Sequence, residues 1–158
     1  MVLVSISWAR VPALIRSAIL HLVPEDRANG PVGPLHATTG ELPYRGTSAG
    51  GGYSTVGDLL KFVNALASHK LLQAQYTELL TSGKMATRRP GIKYAFGFED
   101  ELTPAGLRFF GHGGGSPGMN GRLSVFPASN YVVVALANID PPAADHVARP
   151  IREQLPLK

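Results

Sequence analysis

The pattern of hydrophobic and polar residues predicts two helices in the middle of the chain. In the stretch STVGDLLKFVNALAS, apolar residues recur at helical spacing after Thr55, and Asp58 follows three residues later. This arrangement is typical of a capping box, in which side chains satisfy the free N–H groups of the first turn. A second helix is predicted from Gln73 to about Ser82, where Gly83 ends it.

From about residue 93 the pattern changes to short aromatic and β-branched runs. Strands are predicted at residues 93–99, 107–111, 122–126 and 131–137. The last run, YVVVALA, is almost continuously apolar, which is typical of a central strand covered on both faces. A terminal helix is predicted to run from residue 141 to about 154. Helices followed by antiparallel strands and a closing helix predict an α+β fold.

The N-terminal segment, Met1 to Val23, predicts a short amphipathic helix. Its apolar residues follow helical spacing: Val11, Leu14, Ile15, Ala18, Ile19 and Leu22. A secretory signal is disfavoured because Arg10 interrupts the apolar region that such a signal requires. The compartment is left open.

Composition excludes several classes of function. A chain of 158 residues with 44% hydrophobic residues is long enough to bury the core of one domain. Its formal charge of +4 is scattered rather than clustered, so no nucleic-acid partner is predicted. The absence of cysteine excludes disulfides and thiol catalysis, and no apolar run is long enough to span a bilayer.

Neither a metal nor a cofactor is predicted. The chain contains no H-x-x-x-H or H-E-x-x-H spacing that would place two histidines on one helix face. The consecutive acids Glu99, Asp100 and Glu101 are predicted to form a solvated turn at the tip of a hairpin.

The stretch FFGHGGGSPGMNGR, residues 109–122, holds six of the 18 glycines and is the main candidate for a functional site. Gly113, Gly115 and Gly118 match the G-x-G-x-x-G pattern of a phosphate-binding loop. That mechanism requires a helix immediately afterwards, so that free amides and the helix dipole face the phosphate. Because a strand is predicted there instead, the phosphate-binding interpretation is rejected.

A second interpretation joins Ser48, in a G-x-S-x-G pattern, with the HGGG of residues 112–115 as an α/β-hydrolase site. Such a serine lies between a strand and a helix, whereas Pro43 precedes this one and further glycines follow it. In that fold the HGGG loop also lies upstream of the nucleophile, and here it lies downstream. Ser48 is therefore predicted to be a hydroxyl in a glycine-rich turn.

Three blocks in order carry a family resemblance: AGGGYSTVGDLLKFVNAL, YAFGFE and FGHGGGSPGMNGRLSVFPASNYVVVALAN. They resemble the serine β-lactamase-related family, which includes class C β-lactamases, penicillin-binding DD-peptidases and esterase relatives. The resemblance runs from about Gly33 to Leu157. It implies that residues 33–158 are the C-terminal portion of a β-lactamase-related domain, with an antiparallel sheet flanked by helices, and that residues 1–32 do not match.

The resemblance also implies a site. His112, Gly113 and Gly114 would form the family's third motif, H-x-G, and His112 would position substrate or relay protons at the edge of the cleft. The backbone N–H of Gly115 would be one of two oxyanion-hole donors. Together with Gly113 and Gly114, Ser116 would contact the substrate.

The family's other two motifs are missing. No serine has a lysine three residues later, and no tyrosine has an asparagine two residues later, so S-x-x-K and Y-x-N do not occur. Ser7 comes closest, but its partner is Arg10, which stays protonated and cannot act as a base. The chain is therefore expected to be a fragment with little or no activity alone.

Two functions remain open. The first is the C-terminal portion of a serine hydrolase that would act on a small acyl substrate, a lactam, peptide or ester, once completed. The second is a non-catalytic module of the same fold that binds a ligand or partner. In either case the sheet would be incomplete, and unpaired strand edges and exposed apolar faces favour association. We therefore expect exposed apolar surface, self-association, or a rearranged segment from Met1 to Val23 that covers the sheet.

Overall fold

Helices and one antiparallel sheet form the main part of the molecule. A computed structural model describes residues 4–9, 15–20, 47–48 and 50–155. The helices and strands of the main part have the following bounds: α1 (Val56–Ala67), α2 (Ala74–Thr81), β3 (Met85–Ala86), β4 (Lys93–Tyr94), β5 (Glu99–Leu102), β6 (Arg108–Ser116), β7 (Met119–Phe126), β8 (Tyr131–Ala137) and α3 (Ala143–Gln154). Strands β3 to β8 are neighbours in chain order and antiparallel throughout, so the predicted α+β class is confirmed.

The N-terminal segment contains strands instead of the predicted helix. β1 (Val4–Ala9) pairs in antiparallel register with β2 (Ile15–Leu20), as a sheet separate from the six-stranded one. The helix predicted within Met1 to Val23 is therefore wrong for residues 4–9 and 15–20, and the rest of that prediction lies outside the described residues. Short apolar runs fit both the helical and the strand period. Here the pairing of β1 with β2 favours strands. β1 also contacts β8 and α1.

The start of α1 confirms the predicted capping. The backbone N–H of Asp58 donates to Oγ1 of Thr55 at 3.1 Å, and the Thr55 hydroxyl donates to the Asp58 carboxylate at 2.9 Å. Helix α2 ends at Thr81, close to the predicted boundary. Both central helices are therefore where the sequence pattern predicted them.

Two hydrophobic clusters cover the two faces of the sheet. One lies against α1 and includes Val132 and Val134 of β8, whereas the other lies against α3 and includes Val133 and Ala135. Successive side chains of a strand point to opposite faces, so β8 is buried on both sides. The prediction that both faces of this strand are covered is confirmed. Its predicted central place is wrong, because β8 is the last strand of the six-stranded sheet in the described part of the chain.

The stretch predicted as one strand at residues 93–99 is a hairpin. Its two strands, β4 and β5, flank a tight turn in which the N–H of Ala95 donates to the carbonyl of Phe98 at 2.8 Å. Gly97 has a φ of +88°, a conformation that favours glycine. The turn places Glu99 in a strand, so the prediction that Glu99, Asp100 and Glu101 form a solvated turn is wrong.

Candidate functional site

The glycine-rich stretch lies on β6, at a place where that strand has only one strand neighbour among those described. β5 pairs with β6 from Arg108 to Gly111 and no further. β7 pairs with β6 as far as Ser116. Residues 112–116, called the glycine edge below, therefore have one side that no described strand occupies. Backbone groups on such an edge are available to a ligand or to another chain.

A tight turn joins the glycine edge to β7. Ser116 pairs with Met119, and Pro117 and Gly118 lie between them. Gly118 has a φ of +76°, and proline followed by such a glycine is typical of a type II turn. The N–H of Gly118 also donates to the carboxylate of Asp140 at 2.7 Å, which ties the turn to the loop before α3.

The glycines of β6 are required for different reasons. A Cβ added at Gly111 would lie 1.9 Å from the carbonyl oxygen of Leu123, and one added at Gly115 would lie 2.4 Å from Cγ of Pro141. Close packing therefore explains both of these glycines. A Cβ added at Gly114 would have no atom within 4 Å. Packing does not explain Gly114, whose missing side chain leaves open space beside the strand.

Asn120 fixes the glycine edge to α3. Its side-chain Nδ2 donates to the carbonyl of Gly114 at 2.8 Å, and its Oδ1 accepts the N–H of Ala144 at 2.7 Å. One side chain thus orders the strand and satisfies a free amide in the first turn of the helix. Sequence reasoning missed Asn120, although its place in the glycine-rich stretch was a usable signal.

His112 is exposed and contacts Tyr94 of β4. Its Nε2 lies 3.2 Å from the Tyr94 hydroxyl, and the two rings meet edge to face with centroids 5.9 Å apart. No sequence motif marks Tyr94, because like the other tyrosines it has no asparagine two residues later. The hairpin at Gly97, which folds β4 back beside β5, brings the two residues together.

The other candidates lie as follows. Ser116 ends β6 and is partly buried, whereas Ser48 is exposed in a turn closed by a backbone bridge between Thr47 and Gly50. The predicted turn at Ser48 is confirmed. Because strand residues alternate between faces, His112, Gly114 and Ser116 share one face of the sheet.

The opposite face carries a buried charged group, called the arginine network below. It consists of Arg122, Arg152, Glu99, Glu101 and Asp145. Arg122 is 7% exposed and donates to Glu99 at 3.0 Å and to Glu101. Arg152 donates to Asp145 at 3.2 Å. The network joins β5 and β7 to α3, so it stabilises the packing behind the glycine edge.

Buried charges in the network shift two pKa values. Burial acts to raise the pKa of Asp145, but the hydrogen bond from Arg149 and the charges of Arg152 and Arg122 outweigh it, so this pKa lies below the ordinary value. Burial and the nearby Arg122 lower the pKa of Arg152, and the charge of Asp145 opposes this. Arginine nevertheless stays protonated at physiological pH, so Arg152 keeps its charge.

A cavity of about 260 Å³ adjoins the arginine network. Its lining includes Phe109, Arg89 and Arg149, in addition to members of the network. Since Phe109 and His112 point to opposite faces of β6, the cavity lies on the other face of the sheet from His112. The candidate site is therefore an open surface and not this cavity.

The described residues contain neither a membrane-spanning helix nor a group of side chains that could hold a metal ion. None of the helices there is long and apolar enough to cross a membrane. Within the same ranges, no three His, Asp or Glu side chains are grouped so that they could hold a metal ion.

Comparisons with known proteins show the family and the fold of this chain. A family model described as Beta-lactamase matches residues 15–158, so the match begins before the boundary expected at residue 33. A penicillin-binding protein from Bacillus halodurans has 29% identity and a TM-score of 0.61, over 68% of this chain and 33% of that one. A class C beta-lactamase shares the fold at 19% identity, with a TM-score of 0.52 over 66% and 36% of the two chains. The chain thus spans about a third of the length of each structure. No curated protein sequence matches.

Proposed function

Because the chain belongs to the serine β-lactamase-related family, we propose that it supplies the oxyanion side of a serine acyl-transfer site. The observation that carries the proposal is the glycine edge. It combines a strand side that no described strand occupies, open space over Gly114 and an exposed His112 on the same face. A flat acyl group can lie against such a strand and reach its backbone.

The proposed chemistry places backbone donors where negative charge develops. A serine hydroxyl attacks the carbonyl carbon of a lactam, peptide or ester, and the carbonyl oxygen becomes an oxyanion. The N–H of Gly115 donates to that oxyanion, together with the N–H of the nucleophile. The leaving group departs with a proton, and water then releases the acyl group from the serine. One preorganised donor of this kind is typically worth about 3 kcal/mol of transition-state stabilisation.

The rigid surroundings of Gly115 support this role. Its Cβ position faces Pro141 and the carbonyl of Met119, and Asn120 holds the neighbouring Gly114 to α3. A donor held on a packed strand needs no reorganisation when charge develops. The nucleophile, with its S-x-x-K and Y-x-N partners, would come from residues outside this sequence, and the chain alone would be inactive.

The second candidate, a non-catalytic module that binds a partner, is favoured by exposed apolar side chains. The exposed side chains are Tyr76 and Leu79 of α2, Met85 of β3 and Phe96 of the hairpin turn. The turn lies against α2, where the N–H of Phe96 donates to the carbonyl of Leu80 at 3.3 Å. Exposed apolar surface of this kind marks interaction sites.

The first experiment tests the chain alone. Hydrolysis of nitrocefin and p-nitrophenyl esters is measured, and a fluorophosphonate or fluorescent penicillin probes for a reactive serine. No turnover and no labelling are expected. Turnover that His112→Ala abolishes would contradict inactivity, and labelling of Ser48 or Ser116 would indicate a different nucleophile. Gel filtration of the same sample tests the expected self-association. A stable monomer would contradict that expectation.

The second experiment tests the proposed donor. The chain is combined with the N-terminal part of a family enzyme that carries S-x-x-K and Y-x-N, and gain of hydrolysis is measured. Gly115→Pro removes the N–H, whereas Gly115→Ala keeps it, and both substitutions crowd Pro141. We expect Gly115→Pro to lose about 100-fold more activity than Gly115→Ala. Equal losses would contradict an oxyanion role, and no gain of hydrolysis with the unaltered chain would favour the partner-binding module.

A further inference from the structure

The contact between Tyr94 and His112 bears on which ring nitrogen of the histidine carries the proton. The Tyr94 hydroxyl lies 3.2 Å from Nε2 of His112. Within the described part of the chain, Nδ1 of His112 makes no hydrogen bond. In a neutral histidine one ring nitrogen donates and the other accepts, and the partner of one nitrogen sets the state of the other.

Acidity decides the direction of this hydrogen bond. A phenol hydroxyl is a much stronger acid than the N–H of a neutral imidazole, so the phenol donates and the unprotonated nitrogen accepts. We therefore propose that Tyr94 is a positioning residue that holds neutral His112 as its Nδ1–H tautomer. Nδ1 then donates a hydrogen bond to an acceptor oxygen, carbonyl or carboxylate, of a ligand on the glycine edge.

The backbone around Tyr94 supports a fixed position for the phenol. Tyr94 pairs with Met85 of β3 on one side and with Glu99 of β5 on the other. Its carbonyl accepts the N–H of Lys84 at 2.8 Å, and the tight turn at Gly97 follows. Because the strand is held from both sides, the backbone of Tyr94 is already ordered, and the hydrogen bond to His112 has only the side-chain torsions of Tyr94 left to fix.

The consequence for the site is a defined role for His112. While the histidine is neutral, its accepting nitrogen is occupied by Tyr94 and its free nitrogen is a donor. His112 then orients a ligand by donation and does not accept the proton of a nucleophile. This inference rests on the proposed function, since it assumes that ligands bind on the face of β6 that His112 shares with Gly114.

The test is the tautomer of His112 in the full 158-residue chain. Long-range proton–nitrogen NMR spectra at about pH 8.5, where histidine is normally neutral, separate protonated from unprotonated ring nitrogens. We expect a protonated Nδ1 and an unprotonated Nε2. Tyr94→Phe keeps the aromatic ring and removes only the hydroxyl, so the Nε2–H form should gain population. Tyr53→Phe removes the hydroxyl of a tyrosine that is 74% exposed, and should change nothing.

A protonated Nε2 in the unaltered chain would overturn the proposal, as would an unchanged tautomer in Tyr94→Phe. The first result decides the matter even if the variant does not fold. The spectrum requires no nucleophile and no turnover, so its outcome is independent of the complementation experiment. If Nε2 is protonated but Gly115→Pro loses more activity than Gly115→Ala, only the role of Tyr94 is rejected. If Nδ1 is protonated but the two Gly115 variants lose activity equally, only the oxyanion function is rejected.

Discussion

Replacing Gly111 by alanine should destabilise the hairpin that carries the candidate site. The new Cβ would lie 1.9 Å from the carbonyl oxygen of Leu123 and 2.8 Å from its carbonyl carbon. These are backbone atoms of β7, which cannot rotate away as a side chain can. β6 and β7 must therefore separate by more than an ångström or the local register must break.

The size of this effect follows from the cost of overpacking. Extra atoms forced into a well-packed region typically cost about 1–3 kcal/mol. The matched control is Gly114→Ala on the same strand, because a Cβ there meets no atom within 4 Å. Alanine in an accommodating backbone conformation stabilises a protein by about 0.4–1 kcal/mol, chiefly by restricting the unfolded chain.

Urea unfolding followed by circular dichroism measures both variants. With a denaturant slope of about 2 kcal/mol per molar, a loss of 2 kcal/mol lowers the midpoint by about 1 M. Gly111→Ala should show such a drop, and Gly114→Ala should unfold at or slightly above the urea concentration of the unaltered chain. Equal midpoints for the two variants would refute the distinction between glycines required by packing and glycines that leave space for a ligand.

Three further predictions concern the surroundings of the glycine edge. Arg122→Met should lower the free energy of unfolding by about 3–5 kcal/mol in thermal unfolding, because Glu101 loses its buried partner. Arg149→Met, which removes the exposed partner of Asp145, should change it by less than about 1 kcal/mol. Asn120→Ala should cost about 1–3 kcal/mol and speed hydrogen exchange at Ala144; unchanged exchange would contradict the tie. Because the folded pKa of Asp145 is depressed, its stabilisation is complete above pH 3.8 and is lost as pH falls below that value, so Asp145→Asn should flatten acid unfolding curves.

Local signals in the sequence were sufficient to predict α1, α2 and the burial of β8 on both faces. Thr55 and Asp58 mark the start of α1, and the unbroken apolar run of β8 indicates burial on both faces. The helix prediction for the N-terminal segment was wrong because the apolar spacing there fits both a helix and a strand. The pairing between β1 and β2 favours the strand. Such pairing is a tertiary interaction that periodicity alone does not report.

The candidate site was predictable only where its residues are contiguous in sequence. The glycine-rich stretch with His112 was found from composition and resemblance, because it is contiguous in sequence. The contact between Tyr94 and His112 was missed, since eighteen positions and two successive hairpins separate the two residues. The ion pairs of Glu99 were missed because three consecutive acids are usually solvated, and only the fold brings Arg122 beneath them.

The two faces of β6 differ in packing around the candidate site. Phe109, Gly111 and Gly113 face α3, where the arginine network and the second hydrophobic cluster hold the strand. His112 and Gly114 face the other way, where His112 is exposed and no atom would contact a Cβ at Gly114. A strand fixed on one face and open on the other can present backbone donors without moving, which is what stabilisation of a developing charge requires. Substitutions at Gly111 and Gly113, toward α3, should therefore change stability first, whereas substitutions at His112 and Gly114 should change the proposed ligand contacts first.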